Sequence, residues 1–96
     1  MKKRNKPEAP KWKKILAELF ELPEDILLNL PRMTFVGNKK LLIENHRGII
    51  EYTQEKIRVG IRGGEIIIMG RELQVFRIMS VELFIGGTID KVYFEE

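Results

Sequence analysis

The densest group of chemistry-bearing residues in this 96-residue chain is Glu44-Asn45-His46-Arg47-Gly48, set between two apolar runs. A carboxylate two residues from an imidazole is the smallest set that could act as an acid–base pair. The same five residues also build a tight connection. Asn45 and His46 suit a loop, Gly48 suits a positive φ that returns the chain, and Glu44 can pair with Arg47 across it. The turn reading predicts a hairpin between the flanking strands, and it predicts that His46→Gln leaves folding intact. His46 is the sole histidine and there is no cysteine. Together these facts remove disulfides, thiolate zinc sites, Cys nucleophiles and most His-based metal sites. Ser80, His46 and Asp25 or Asp90 supply the residue types of a nucleophilic triad, but no spacing joins them. Gly60-Ile61-Arg62-Gly63-Gly64 lacks the Lys-Ser/Thr of a phosphate-binding loop, and Gly63-Gly64 reads as a hairpin turn. The residues therefore nominate no catalytic, cofactor-binding or metal-binding group, and the expectation is a protein that is not an enzyme.

The elements that position these residues follow from periodicity. Trp12, Ile15, Leu16, Leu19 and Phe20 fall on one helical stripe, which predicts an amphipathic helix over residues 10–21 that stops before Pro23. Residues 1–9 are polar, carry Pro7 and show no period, so a disordered basic tail is expected there. In residues 22–31, Pro23 followed by Glu24 and Asp25 could open one helical turn, but Ile26, Leu28 and Leu30 alternate as in a strand and Pro31 closes the run, which favours extended structure. From Arg32 the period is two and the punctuation is glycine, giving strand runs at 33–36, 41–44, 49–53, 56–61, 65–69, 73–78, 81–85 and 88–94. This predicts a single β domain over residues 22–96. It is a mainly β fold, an antiparallel meander or roll of seven or eight short strands, with a short-rung β-solenoid as the alternative. The first and last strands, 33–36 and 88–94, are the expected edges. The helix stripe is expected to cover the sheet or to lie on a membrane.

Charge is uneven. Residues 1–14 carry seven basic side chains against Glu8, a net +6, and the rest of the chain is −3 within a total of +3. A basic tail on a slightly acidic body attracts an anionic surface, and Lys11, Trp12, Lys13 and Lys14 are the candidate contacts with a membrane or partner. No run reaches the roughly 18 apolar residues of a membrane span, and no apolar stretch of signal-peptide type follows the basic start. A nucleic-acid-binding small β-barrel would use Arg58, Arg62 and Arg77 with aromatics on a sheet face. Here Phe35, Tyr52, Phe76, Phe84, Tyr93 and Phe94 are scattered singly through apolar runs and are expected in the core, so no nucleic-acid partner is expected.

Three motifs carry a family resemblance. They are Leu22-Pro23-Glu24-Asp25, Pro31-Arg32-Met33-Thr34-Phe35-Val36-Gly37 and Ile43-Glu44-Asn45-His46-Arg47-Gly48-Ile49. Together with Ile57-Arg58, Ile68-Met69-Gly70, Leu73 and 82–86, they resemble the YqfC/YabP family of sporulation proteins over residues 17–96. The basic N-terminus with its Trp is closer to the YqfC branch. The resemblance implies a bacterial mother-cell protein, a scaffold or assembly factor for the spore coat and cortex, peripheral at the outer forespore membrane. It implies a protein partner, with the membrane protein YqfD as a candidate, or a homo-oligomer. It carries over no catalytic residue and no cofactor, and it marks Glu44, Asn45, His46, Arg47 and Gly48 as the interaction candidates.

Overall fold

Alternation of apolar and polar side chains from residue 32 onward is realised as six strands: β1 (Arg32–Val36), β2 (Lys40–Glu44), β3 (Ile49–Tyr52), β4 (Lys56–Ile61), β5 (Gly64–Ile78) and β6 (Glu82–Glu95). A helix, α1 (Lys11–Phe20), precedes them. The computed structural model describes residues 11–20 and 29–96. The tail expected over 1–9 and most of the extended segment expected over 22–31 lie outside these residues. The chain divides into two units, residues 1–30 and 31–96. In the first, α1 forms where the stripe predicts it, and Ile15 and Leu19 of that stripe are exposed. No helix among the described residues is long and apolar enough to cross a membrane.

In the second unit all neighbouring strands are antiparallel, in the order β1-β2-β6-β5-β4-β3. This is the mainly β antiparallel fold expected; most neighbours are consecutive hairpins, but the strand order is not sequential throughout. β2 lies against β6, and β3 forms the far edge. The predicted edge at 33–36 is an edge. The predicted edge at 88–94 is one as well over most of its length: β6 is flanked by β2 only at 82–86, and residues 91–95 pair with β5 alone. Antiparallel pairing throughout excludes the solenoid. Six strands appear instead of seven or eight because four of the predicted runs merge in pairs. Runs 65–69 and 73–78 are the two ends of β5, and runs 81–85 and 88–94 are the two ends of β6. A straight 15-residue strand would be about 50 Å long, well beyond the diameter of so small a domain. β5 and β6 are instead bent by register shifts at Met69/Gly70, Arg71/Gln74 and Val75/Arg77. Bulges of this kind add a residue on one side and sharpen the local twist. The glycines read as interstrand turns thus mark bends within long strands.

Alternation assigns the two faces. Leu41, Ile43, Ile57, Val59, Ile66, Ile68, Leu73, Leu83, Ile85 and Ile89 form one buried cluster, with Met33, Ile49, Ile61, Val75 and Val92 packed against it. Side chains from β2 and from β4 join this one cluster although two strands separate them, so the inner face is concave. Cross-links at the rim hold the curl. The Val75 N–H donates to the Tyr52 hydroxyl (2.9 Å). In the β3–β4 turn, Gln54 and Glu55 accept at their carbonyls from the Leu73 and Gly70 N–H groups. The core is aliphatic throughout, which corrects the expectation that the aromatics fill it. Phe35, Tyr52, Phe76, Tyr93 and Phe94 are all exposed.

Candidate functional site

The motif loop is a crossover, not a hairpin. β2 pairs with β1 and β6, while β3 pairs with β4. Residues 45–48 must therefore carry the chain from the second position in the sheet to the sixth. In a flat sheet that gap is about 19 Å, four spacings of roughly 4.8 Å. The link from Glu44 to Ile49 reaches about 18 Å at most when fully extended. Asn45 at φ 66° and Gly48 at φ 115° shorten it further, so the connection closes only because the sheet curls. The strap is stitched down along its length. Asn45 N–H donates to Val81 O (2.7 Å), Arg47 N–H to Gly60 O (2.7 Å), and Gly60 N–H to Gly48 O (2.8 Å).

His46 pins the strap. It is 7% exposed, the buried polar residue beside an otherwise aliphatic core. Its Nδ1 lies 2.9 Å from the Gly48 N–H, which can only donate, so Nδ1 is the unprotonated nitrogen. The proton is thereby fixed on Nε2, which donates to Met79 O at 3.0 Å in the β5–β6 connection. Both ring nitrogens are occupied by backbone, and neither is left for proton transfer to a substrate. Glu44 points elsewhere. It pairs with Arg32 on β1 (3.6 Å), its direct register partner, and not with Arg47 as the turn reading expected. Arg47 is exposed. The structure thus brings the five motif residues into one strap, but it separates the acid–base pair that the sequence suggested. With a buried ring making two hydrogen bonds, His46→Gln is not the neutral change that a surface turn would allow.

The outer face of the sheet has two unlike halves. Across β3, β4 and β5, Arg58 donates bidentately to Glu65 (Nε 2.6 Å, Nη2 3.0 Å) and through Nη1 to Glu51 (3.3 Å). Lys56 lies 3.9 Å from the same Glu51 carboxylate. The Arg58 hydrogen bonds hold the Glu65 carboxyl below the usual glutamate value, and Glu65 and Glu51 in turn raise the Arg58 pKa. Arg71 is likewise paired with Asp90 (3.2 Å). The basic stripe expected to serve a nucleic-acid partner is thus matched to carboxylates at its centre. Nothing observed here favours that reading.

Across β1, β2, β6 and the far end of β5, the face is apolar. Thr34, Val36, Leu42, Phe76 and Phe84, with Lys40 and Arg77, line a groove of about 540 Å³. The floor is set by Gly86, where a methyl group would run into the Phe76 ring. Phe76 sits at the Val75/Arg77 bulge and is 62% exposed, as is Val36 at 65%. The Lys40 Nζ stands 5.9 Å from the Phe76 ring centroid. Sequence reasoning missed this groove, although a signal for it existed. Leu42 lies between Leu41 and Ile43, and Phe84 between Leu83 and Ile85, so strict alternation sends both away from the core.

In α1, Lys11 and Lys14 are exposed and Lys13 and Trp12 are half-buried. The Lys13 ammonium lies 4.8 Å from the Trp12 ring centroid, within cation–π range. Among the described residues no group of His, Cys, Asp or Glu is placed to hold a metal ion.

The second unit is thus a curled antiparallel sheet, strapped at one end by a buried histidine and carrying an open apolar groove. The comparisons place it more narrowly. A model of the YabP family matches residues 29–96. The uncharacterized protein YqfC of Bacillus subtilis (strain 168) is 36% identical over 81 residues, covering 84% of this chain and 87% of that protein. The chain belongs to the YabP family and is a sporulation-related protein. No solved structure matches it.

Proposed function

We propose that the chain is a non-enzymatic assembly or scaffold factor of the spore envelope, made in the mother cell and acting through protein–protein contacts near the outer forespore membrane. The observation that carries this reading is the state of His46. The one imidazole in the chain has both nitrogens engaged by backbone, at 2.9 and 3.0 Å. The family motif around it is therefore a structural strap, and the surface left for function is sheet face and sheet edge. Membership of a sporulation-related family supports the cellular setting. A membrane protein such as YqfD, or a second copy of the chain, is the partner type in this reading. Lys11, Lys13 and Lys14 beside Trp12 supply attraction to anionic lipid, each basic residue near the surface adding about 1 kcal/mol.

Two measurements test it. A fluorescent fusion in sporulating cells is expected to collect around the forespore, and cells lacking the protein are expected to form few heat-resistant spores. A diffuse signal with normal spore counts would overturn the reading. For the membrane contact, the full chain is expected to sediment with phosphatidylglycerol vesicles but not with phosphatidylcholine vesicles. The Lys11→Gln/Lys13→Gln/Lys14→Gln variant is expected to stay in solution.

A further inference from the structure

The geometry points to the outer-face groove as the docking site for an extended peptide segment of a partner, one that alternates apolar side chains with carboxylates. The inference rests on the protein-contact reading above and gives it a place on the molecule.

Three observations lead there. The floor is apolar and open, built from Val36, Leu42, Phe84 and the Phe76 ring lying over Gly86. Elsewhere on the sheet, Arg32, Lys56, Arg58 and Arg71 each meet a carboxylate. The two charged residues that line the groove, Lys40 and Arg77, are both cationic, and neither has an ion-pair partner among the described residues. The charge they lack is negative, which sets the sign of the ligand. Finally, the groove runs to β1, an edge strand of the sheet among the described residues. Four of the five β1 residues are exposed.

An edge strand offers a row of backbone donors and acceptors to an added strand. A peptide paired along β1 places every second side chain on the outer face, beside Thr34 and Val36 at the mouth of the groove. Its apolar side chains meet Val36 and Phe76, and its carboxylates meet Lys40 and Arg77. A lipid chain would use the apolar floor and the cations but would leave the β1 backbone without a partner. The edge favours a peptide.

The test uses the full chain and a fluorescein-labelled octapeptide library alternating Glu with Leu, Ile or Phe, with a Lys-for-Glu library as control. Fluorescence anisotropy is expected to show saturable binding of the acidic library alone. The exposed-site variant Lys40→Glu/Arg77→Glu is expected to weaken that binding at least tenfold and to bind the basic library instead. Gly86→Ala, whose methyl group would displace the exposed Phe76 ring, is expected to weaken both without changing the melting temperature. Failure to bind either library up to a millimolar, or acidic binding indifferent to Lys40→Glu/Arg77→Glu, would overturn the inference. So would groove-dependent binding of phosphatidylglycerol vesicles in place of peptide, or concentration-dependent dimerisation abolished by Gly86→Ala. If peptide binding fails while the fusion still collects at the forespore, the groove assignment falls and the envelope reading stands. If peptide binding holds while the fusion is diffuse and spores are normal, the reverse follows.

Discussion

The strap at residues 45–48 and the groove on the outer face differ in what their polar groups and apolar surface already touch. In the strap, Asn45, Arg47 and Gly48 are bonded through backbone, and both nitrogens of His46 are engaged. In the groove, Val36 and Phe76 remain exposed, and Lys40 and Arg77 meet no carboxylate among the described residues. A buried polar group must be satisfied internally because an orphan costs about 1–3 kcal/mol. An exposed one is satisfied by water and stays available to a partner. The difference teaches that the residue types which suggest chemistry in a sequence can be needed by the fold, while binding surface hides among residues of ordinary type.

The largest expected effect breaks the strap. His46→Ala leaves the Gly48 N–H and Met79 O without their partner, a loss of about 1–3 kcal/mol. For a domain of this size each kcal/mol lowers the melting point by about 4–8 °C. Urea denaturation should show a lower midpoint with an unchanged slope. An unaltered midpoint would mean that the ring is not the pin described here. Gly48→Val comes next, and it separates strain from contact. Nothing lies within 4 Å of a side chain there, but φ is 115°, a conformation that costs a β-branched residue about 1–3 kcal/mol. Gly48→Val should therefore destabilise even though it removes no contact.

The strands, the helix and the inner face were legible because alternation and helical spacing report local geometry. The strap was half legible. Gly48 announced its positive φ correctly, but a turn signal does not say which strand receives the chain, and β2 leads across the sheet end instead of back on itself. Gly70, Gly86 and Gly87 were misread as ends of strands for the same reason. A glycine that lets a strand bend and one that lets it stop look alike in sequence, and only pairing with a residue distant in sequence, such as Gly70 with Ile89 or Gly86 with Gln74, tells them apart. The groove depends on pairing β2 with β6, a contact that no local pattern encodes. Leu42 and Phe84 each announced an outward face, but not that the two faces would be neighbours.

A smaller stability effect is expected in the groove. Phe76→Ser removes a ring that is 62% exposed, and surface changes of this kind stay within about 0.5 kcal/mol. Peptide binding should suffer while the urea midpoint holds. A midpoint that fell as far as that of His46→Ala would make the groove structural, and the contrast with the strap would collapse.

The subtlest effect concerns the other half of the outer face, where carboxylates already meet the cations. Hydrogen bonds from Arg58 hold the Glu65 carboxyl below its ordinary value of 4.5. A carboxyl with a depressed folded-state pKa contributes stability that is fully present above the unfolded value and is lost as pH falls through the folded one. Glu65→Gln should thus lower the melting temperature at pH 7, and the gap to the unaltered protein should narrow progressively below pH 4.5, where the native carboxyl also protonates. Added salt should narrow the same gap at pH 7, because both side chains are partly open to solvent. Lys40→Gln and Arg77→Gln in the groove should show no such pH-dependent gap, since neither side chain is paired with a carboxylate among the described residues. If they did, an internal acidic partner would already occupy the groove, and the two halves of the face would be alike.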